Sequence, residues 1–252
     1  MYLSVVIPAY NEEKRIITTL LDIDKYLSNQ NYPSTGPEEI DYEVIIISDG
    51  STDNTVKAIK NLKEKVKNLR VIDNKKNYGK GYVVRQGMLE AKGKYRLFMD
   101  ADNSTTIDHL DKFWEYAKEN YDIVIASIGI KGAKIQENAA FYRRWLGKIS
   151  KYIIRFFSGL WNIHDTQRGF KLFNKNAAEK IFSKQTIERF GFDIEILVLA
   201  KKMGYKIKEV PVNWKNPGAS KVSLSDYIRT FKELLKIKYN LLTNKYKIKN
   251  ND

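Results

Sequence analysis

The sequence predicts an α/β fold, in which a mostly parallel central sheet is flanked by helices on both faces. Two observations support this prediction. The first 130 residues alternate short β-rich runs with longer segments whose apolar residues recur about every 3.6 positions. The chain has 252 residues, of which 43% are hydrophobic, so it can bury one sizeable core. We therefore expect a single folded unit.

Five short runs are the candidate strands. Their apolar residues are continuous rather than alternating, which is typical of parallel strands that are buried on both faces. The runs are residues 3–8, 42–48, 69–74, 95–100 and 122–127. The segments between them have a helical pattern, and the first carries Ile16, Ile17, Leu20, Leu21, Ile23 and Leu27. Helical connections of this kind join parallel strands.

The residues that follow the strands are the candidate ligand-binding residues, because open parallel sheets bind ligands at the carboxyl ends of their strands. Three polar stretches stand at such positions: Pro8–Glu12, Asp49–Asp53 and Asp100–Asp102. A dinucleotide-binding unit would need the pattern G-x-G-x-x-G after the first strand, and that pattern is absent. The sequence therefore argues against hydride transfer with a nicotinamide cofactor.

Asp100 and Asp102 are the strongest candidates for a metal site. Only Ala101 separates them, so one or both carboxylates can reach a hard divalent cation at the end of the strand. The alternative is a solvated turn in which Asn103–Thr105 cap the next helix. The stretch Asp49–Asp53 has a similar alternative, with Ser51 or Thr52 as the N-cap of a helix.

Composition restricts the chemistry further. The chain has no Cys and two His, His109 and His164, so disulfides, thiolate metal sites and imidazole-rich metal sites are excluded or disfavoured. A metal would have to be held by oxygen atoms. His164 stands next to Asp165, but no Ser or Cys motif accompanies the pair, and we expect a structural hydrogen bond there. We interpret Gly159 and Gly169 as turn or close-packing glycines.

The net charge of +14 comes from two segments. Residues 131–171 hold nine Lys or Arg and two acids, and residues 199–252 hold thirteen and four. The rest of the chain is near neutral, so an anionic partner is expected to meet the second half.

Two basic amphipathic helices are predicted in that half. The first covers residues 141–161 and places Phe141, Trp145, Ile149, Tyr152, Ile153, Phe156, Leu160 and Trp161 on one stripe. The second covers residues 223–242 and carries Leu224, Tyr227, Ile228, Phe231, Leu234, Leu235, Leu241 and Leu242. Each stripe either packs on the core or meets a membrane surface. The tail from Asn244 to Asp252 is Lys-rich, and we expect it to be frayed.

Four stretches of the first half together resemble the family 2 glycosyltransferases. They are VVIPAYNEE (5–13), SDGSTDNT (48–55), NYGKGYVVRQGM (77–88) and MDADNST (99–105). Three further stretches, HDTQRGFKLF (164–173), FGFDIEIL (190–197) and GASKVS (218–223), resemble the dolichyl-phosphate β-glucosyltransferases and related polyprenyl-phosphate glycosyltransferases. The resemblance runs from about residue 3 to residue 235. It implies the nucleotide-diphosphosugar transferase (GT-A) fold over residues 1–222, with a donor half to about residue 130, an acceptor half over 131–222, and a basic amphipathic helix and tail at 223–252.

The resemblance also implies roles for individual residues. The positions that match the donor site are Pro8, Ala9, Tyr10, Glu12, Asp49, Lys80, Gly81, Asp100, Ala101 and Asp102. Those that match phosphate- and acceptor-binding positions are Arg143, Arg144, Gln167, Ser220 and Lys221. Asp100 and Asp102 match the ligands of a Mg²⁺ or Mn²⁺ ion. Ser104 stands where mannosyl relatives have a metal-binding Gln, so a third ligand there is an open question. The implied catalytic residues are Asp102, Arg143, Arg144 and Asp193.

The reaction implied by the resemblance is an inverting transfer of a hexose, with glucose from UDP-glucose first, to polyprenyl or dolichyl phosphate. A phosphate acceptor has a second pKa of about 6 and is already ionised, so it needs little help from a general base. We therefore favour a positioning role for Asp193 in the FDIE stretch over base catalysis. Other donors, GDP-mannose or another UDP-hexose, and a hydroxyl acceptor are the alternatives.

The expected partners are a nucleotide sugar, a polyprenyl phosphate lipid and an anionic membrane surface. No apolar stretch reaches the roughly 18 residues of a spanning helix, and no signal peptide is recognisable. We expect a cytoplasmic protein that is peripheral on the inner face of the membrane, held there by its Lys and Arg residues. A basic module that binds nucleic acid is the non-enzymatic alternative, and the acid pair at a strand end argues against it.

Overall fold

The computed structural model describes residues 1–30, 41–136, 141–215 and 224–248. The strands are β1 (Leu3–Ala9), β2 (Tyr42–Asp49), β3 (Leu69–Asn74), β4 (Tyr95–Met99), β5 (Ile123–Ser127), β6 (Lys134–Gln136), β7 (Phe170–Asn174), β8 (Ile207–Pro211) and β9 (Asn213–Lys215). The helices are α1 (Ile16–Ser28), α2 (Thr55–Asn61), α3 (Lys80–Glu90), α4 (Leu110–Lys118), α5 (Phe141–Ser158), α6 (Lys175–Lys184), α7 (Phe192–Lys202) and α8 (Leu224–Leu242), with a 3₁₀ turn at Ile107–His109. The five strands predicted in the first half are all present.

Within the described ranges, the central sheet has seven strands in the order β3-β2-β1-β4-β7-β5-β8, and β6 pairs with β9 separately. Every pairing in the central sheet is parallel except those of β7, which runs antiparallel between β4 and β5. The prediction of a mostly parallel sheet is therefore confirmed. The insertion of β7 was not predicted, because nothing in its short apolar run indicates which strands it joins.

Two hydrophobic cores lie on the two faces of the sheet, because successive side chains of a strand point to opposite sides. Val6 on β1 belongs to one core, which includes residues of α3, α6 and α7. Val5 and Ile7 belong to the other, which includes residues of α1 and α4. All seven residues of β1 and all eight of β2 are buried. This burial on both faces explains the continuous apolar runs in the sequence.

Helices α5 and α8 lie side by side, and Phe157 and Phe231 make an edge-on ring contact between them. Where its side chains are described, α5 faces the core mainly with residues outside the predicted stripe. Ile154 of α5 is buried, whereas Tyr152 and Phe156 are exposed. The helix also ends at Ser158, before Gly159 with its φ of 71°, so the exposed Trp161 lies beyond it. Of the two alternatives for this stripe, core packing applies to Leu160, which is buried just beyond the helix, but not to Tyr152 and Phe156, for which membrane contact stays a prediction.

Helix α8 has the same two-sided character. Leu234 and Ile237 are buried in the core that contains α7. On the opposite side, several apolar residues are exposed. Together with those of α5 they form what we call the outer face: Tyr152, Ile153, Phe156, Ile228, Phe231, Leu235, Tyr239 and Leu242. In the described part of the chain, no helix has the length and apolarity needed to cross a bilayer. The predicted domain boundary at residue 222 lies outside the described residues.

The C-terminal segment after α8 is ordered against the core as far as the structure describes it. Tyr246 is buried, and Lys184 donates hydrogen bonds to the carbonyl oxygens of Tyr246 (2.7 Å) and Lys247 (3.2 Å). The expectation of a frayed tail is therefore wrong for residues 244–248, since one aromatic side chain anchors the segment. Residues 249–252 lie outside the described residues.

Candidate active site

Three polar stretches meet at one edge of the sheet, as the sequence predicts. Ala9 at the end of β1 is level with Ser48 of β2, and Asp49 is level with Asn74 of β3. Val6 is level with Phe98 of β4, and β4 ends at Met99. The residues that follow these strands therefore lie at the same carboxyl edge, where ligands bind in open α/β sheets.

Lys80 and Asp100 form the centre of this edge. The Lys80 Nζ lies 2.6 Å from Asp100 Oδ1, and each side chain is one quarter exposed. Burial by itself would lower the pKa of the Lys80 ammonium, but the carboxylates of Asp100, Asp193 and Asp102 raise it above its ordinary value. Lys80 is therefore a fixed positive charge at neutral pH. Lys80 is the first residue of α3, and this helix places it beside Asp100, which follows the next strand.

Gly169 sets the position of the Asp100 carboxylate. The amide of Asp100 donates a 2.9 Å hydrogen bond to the carbonyl oxygen of Gly169. A Cβ at position 169 would overlap the Asp100 carboxyl group, so no larger residue fits without displacing it. The interpretation of Gly169 as a close-packing glycine is confirmed, and the group that it accommodates is the candidate metal ligand.

Asp102 lies on the turn after Asp100 and is only partly buried. Its Oδ1 accepts a 3.0 Å hydrogen bond from the backbone amide of Ser104, and Ala101 between the two acids accepts one of 2.8 Å from Thr19. These bonds hold the turn and leave Asp102 Oδ2 with acceptor capacity. The backbone of Ser104 also accepts a 3.0 Å hydrogen bond from the Lys215 amide. A third metal ligand from the Ser104 hydroxyl stays a prediction.

A divalent metal fits this pair of acids on chemical grounds. Among the residues that the structure describes, no group of three or more His, Cys, Asp or Glu forms a complete metal site. Two carboxylates are the set that suits Mg²⁺, which takes its other ligands from water and substrate phosphates. The side chains thus fit an ion that is held jointly by the protein and a phosphorylated ligand.

The loop after β1 is held to the loop after β2. Thr52 donates its backbone amide to Asn11 Oδ1 at 2.8 Å, and Glu12 donates its amide to Thr55 Oγ1 at 2.7 Å. Asn11 has a φ of 55°, a left-handed conformation that Asn tolerates better than most residues. These contacts were missed by sequence reasoning, although the Asn and the Ser/Thr-rich loop are residue types that make such bonds.

The other predicted residues of this loop differ in exposure. Pro8 and Ala9 are buried within β1, whereas Tyr10 is exposed at the edge of the sheet. The carboxylate of Glu12 lies 2.6 Å from Arg15, so its charge is partly compensated within the loop. Tyr10 is therefore the residue of this group whose ring is open to a ligand.

Asp49 is buried and supports the loop that carries Lys80. Its carboxylate accepts hydrogen bonds from the amides of Tyr78 (2.7 Å) and Gly79 (2.9 Å). Burial raises the pKa of Asp49, although these two bonds and Arg189 oppose the shift. A contact from Asp49 to the base of a nucleotide stays a prediction. Gly81 follows Lys80 at the start of α3, and a Cβ there would have no room beside the carbonyl oxygen of Ile187.

Asp193 is also buried, at the start of α7, and is paired with Lys171 of β7. The Lys171 Nζ is fully buried and lies 2.5 Å from Asp193 Oδ1. Burial raises the pKa of Asp193, against the lowering effect of Lys171 and Lys80. We call Lys80, Asp100, Asp102, Lys171 and Asp193 the strand-end cluster. Lys171 was missed by sequence reasoning, because a Lys within an apolar run does not indicate which acid it pairs with.

The acceptor-side residues are described less completely. Gln167 is exposed, and its backbone amide donates to Asp165 Oδ1 at 3.3 Å. Arg168 donates to the other oxygen of the same carboxylate. Arg143 and Arg144 belong to helix α5, and the structure describes their backbone but not their side chains. Ser220 and Lys221 lie outside the described residues. His164 pairs with Glu209 at 2.9 Å rather than with Asp165, so its hydrogen bond is structural.

The chain matches the family model described as Glycosyl transferase family 2 over residues 4–182. Three curated relatives are each named dolichyl-phosphate beta-glucosyltransferase. The protein of Dictyostelium discoideum is 37% identical over 257 residues, which cover 99% of this chain and 77% of the relative. That of Saccharomyces cerevisiae is 35% identical, with 98% and 77% coverage, and that of Homo sapiens is 33% identical, with 98% and 78%.

Solved structures share the fold at lower identity. Glucosyl-3-phosphoglycerate synthase from Mycobacterium tuberculosis, in complex with Mn²⁺, UDP and glucosyl-3-phosphoglycerate, aligns with a TM-score of 0.67 and 16% identity. The alignment covers 99% of this chain and 81% of the synthase. A complex of the same synthase with Mn²⁺ and UDP-glucose aligns with a TM-score of 0.66 and 15% identity, over 99% of this chain and 80% of the synthase. At these identities the likeness establishes the GT-A fold.

Proposed function

The chain belongs to glycosyl transferase family 2 and is a glycosyltransferase, and from this premise we propose that it transfers glucose from UDP-glucose to dolichyl phosphate or a related polyprenyl phosphate. The observation that carries the proposal is the identity of 33–37% to dolichyl-phosphate beta-glucosyltransferases from three organisms, over nearly the whole chain. In this proposal the enzyme inverts the configuration at the anomeric carbon and gives a β-linked glucosyl lipid phosphate.

The donor diphosphate binds at the strand-end cluster. Lys80 supplies a positive charge beside the carboxylates, where the leaving phosphates gain negative charge as the bond to the sugar breaks. Tyr10, Glu12 and the loop supported by Asp49 form the side of the pocket that receives the nucleotide. The proposed remaining donor contacts are those of Pro8, Ala9, Gly81 and Ala101.

Asp100 and Asp102, with Ser104 as a possible third ligand, would hold Mg²⁺ or Mn²⁺, which when bound supplies a Lewis acid to the diphosphate. The structure of the synthase that contains Mn²⁺ and UDP-glucose is consistent with a divalent ion in this fold. Asp100 keeps its place for this task through Gly169, and Asp102 through the Ser104 amide. The protein thus holds both carboxylates in position before the donor arrives.

The nucleophile in this proposal is a phosphate oxygen of the acceptor. It is already ionised near neutral pH, so the attack needs no strong base. Asp193 suits this scheme, because its bond to the buried Lys171 removes it from solvent and makes it a positioning residue. Arg143, Arg144, Gln167, Ser220 and Lys221 are the proposed contacts to the phosphates of donor and acceptor.

The outer face supports binding to a membrane, where a polyprenyl lipid resides. Exposed aromatic and aliphatic side chains lie side by side on α5 and α8, among Lys151, Lys232, Lys236 and Lys238, which are themselves exposed. An apolar surface with basic residues around it is typical of a peripheral membrane contact, in which each Lys contributes on the order of 1 kcal/mol near anionic lipids. We propose that the protein is peripheral on the cytoplasmic face of its membrane.

One experiment tests the proposed reaction. Purified protein is incubated with UDP-glucose, GDP-mannose or other UDP-hexoses, with dolichyl or undecaprenyl phosphate and Mg²⁺ or Mn²⁺, and the lipid product is identified by mass. We expect a glucosyl lipid phosphate with UDP-glucose. A product with another nucleotide sugar alone would overturn the donor, a glycan product with a hydroxyl acceptor would overturn the acceptor, and no glycolipid with any donor would overturn the proposal.

A further inference from the structure

Glu195 is a fully buried acid of the FDIE stretch and lies on α7, two residues after Asp193 of the strand-end cluster. Its carboxylate accepts hydrogen bonds from the Thr186 amide (3.0 Å to each oxygen), the Thr186 hydroxyl (2.7 Å) and the Ile187 amide (2.8 Å). A further bond comes from the hydroxyl of Tyr246 at 2.7 Å. All these groups are donors, so the Glu195 carboxylate is bound on both oxygens by groups of its own protein.

The segment that Glu195 holds, residues 185–191, packs directly on the loop that carries Lys80. The Tyr82 amide donates to the carbonyl oxygen of Glu188 at 3.1 Å, and Arg189 donates to Asn77 Oδ1 at 2.6 Å. Gln185 donates to the carbonyl oxygen of Gly81 at 2.8 Å. Residues 185–191 therefore form one side of the surroundings of residues 77–82, which include Lys80.

Gly79 and Gly81 are the places where the two segments approach most closely. A Cβ at Gly81 would lie 2.6 Å from the carbonyl oxygen of Ile187, and one at Gly79 would lie 2.7 Å from the side chain of Arg189. Such close packing transmits displacement, because protein interiors have little free space to absorb it. A shift of Ile187 together with Arg189 would consequently move the glycines on both sides of Lys80.

The same segment is bound to α8 and to the chain that follows it. Glu233 of α8 accepts a hydrogen bond from the Gly191 amide at 2.8 Å, and Asn240 donates to the Thr186 hydroxyl at 3.1 Å. Burial and the nearby Glu195 carboxylate raise the pKa of Tyr246, so its hydroxyl keeps its proton and acts as the donor. The C-terminal part of the chain is thereby joined to the donor site through a continuous set of bonds.

We propose that Glu195 and Tyr246 are positioning residues for donor binding: they hold residues 185–191 against the Lys80 loop and so keep the Lys80 ammonium on Asp100. Neither touches the substrate. This role rests on the proposed function in one respect, that the ligand beside Lys80 is the sugar donor. It gives the C-terminal segment a part in the donor site, although Tyr246 is 51 residues away from Glu195 in sequence.

The first test follows Lys80 itself and needs no substrate. Tyr246→Phe keeps the ring and removes one hydroxyl, and the rate at which acetic anhydride modifies Lys80 is measured by mass spectrometry. Loosening the segment beside Lys80 leaves its amine less enclosed and more open to the reagent, so we expect labelling to become about three-fold faster or more. Glu195→Gln should act in the same direction and more strongly.

Tyr205→Phe is the matched control. The Tyr205 hydroxyl is hydrogen-bonded to Asn176, outside residues 185–191, and its ring packs on the same core. Its variant should lose comparable stability and leave Lys80 labelling unchanged within two-fold. Equal labelling of Lys80 in wild type, Tyr246→Phe and Glu195→Gln would overturn the proposal, as would an equal rise in Tyr205→Phe. If Glu195→Gln does not fold, Tyr246→Phe decides alone.

The second test separates positioning from general stability through kinetics with UDP-glucose. Tyr246→Phe should raise KM for UDP-glucose about five-fold while kcat changes less than two-fold, and Tyr205→Phe should change neither. A fall in kcat alone would contradict a role in donor binding. If the wild type makes no product from UDP-glucose, the proposed function fails, and the Lys80 labelling still decides this inference.

Discussion

The strand-end cluster and the outer face are built in opposite ways. In the cluster, each charged group has a partner of opposite charge or a backbone amide, and small changes such as a Cβ at Gly169 would collide with it. On the outer face, the apolar side chains are exposed, by between 37% and 76%. Chemistry at the sheet edge therefore depends on the positions of single atoms, whereas the outer face acts through its summed area and charge. Substitutions should therefore have steep effects in the first region and graded effects in the second.

The largest effect is expected at Asp102. Asp102→Asn keeps the size of the side chain and removes its charge, so activity should fall by roughly three orders of magnitude or more while the melting temperature changes little. Glycolipid formation and thermal unfolding measure the two quantities. Asp108→Asn is the control, because Asp108 is an exposed acid on the following 3₁₀ turn. Near-normal turnover in Asp102→Asn would remove the metal role and would make the two regions more alike than we argue.

A somewhat smaller effect is expected at Lys80. Lys80→Gln removes the positive charge beside the diphosphate, and losses on removing one such stabilising group are about 100-fold to 1,000-fold. We expect kcat/KM for the nucleotide sugar to fall by about 100-fold. Lys75→Gln, at a side chain that is 90% exposed, should change it less than two-fold. Similar losses in both variants would indicate that overall positive charge matters rather than the pair with Asp100.

The outer face should respond gradually. Replacing both Phe156 and Leu242 by Ser removes two apolar side chains that are 68% and 76% exposed, and affinity for vesicles with anionic lipids should fall by about ten-fold or more. Binding is measured by flotation at low salt. Leu21→Ser, at an exposed apolar residue of α1 in the donor half, is the control and should bind as the wild type does. A wild-type protein that does not float at low salt would exclude the outer face as a membrane contact.

The smallest effect is expected in the dependence of stability on pH. Burial raises the pKa of Asp49 in the folded protein, so the folded state holds this proton more tightly than the unfolded state does. The contribution of Asp49 to stability is therefore present at pH values below its unfolded pKa and is lost as the pH rises through the folded pKa. Asp49→Asn should reduce this loss over the same pH range, as measured by urea unfolding. An unchanged slope would show that the amides of Tyr78 and Gly79 fully compensate for burial.

Much of the donor half could be predicted because its signals are local. The continuous apolar runs predict strands buried on both faces, and strand ends in a parallel sheet meet at one edge, which brought Asp49 and Asp100 together as expected. The helical segment after β1 was also predicted, although Ile17 and Leu21 of its apolar set are exposed. A repeat of about 3.6 residues fixes which side chains share a face, and the width of the buried stripe depends on the neighbouring elements.

By itself, the sequence determined the five strands of the first half, the helical segments between them, the acids at the strand ends and the basic character of the second half, because these follow from the order and spacing of neighbouring residues. Only the tertiary structure decided that β7 runs antiparallel between β4 and β5, that Lys171 pairs with Asp193, and that Tyr246 reaches Glu195. These contacts join residues that are far apart in the chain. Their partners are selected by where whole elements pack, and a residue's own neighbours in sequence carry little information about that choice.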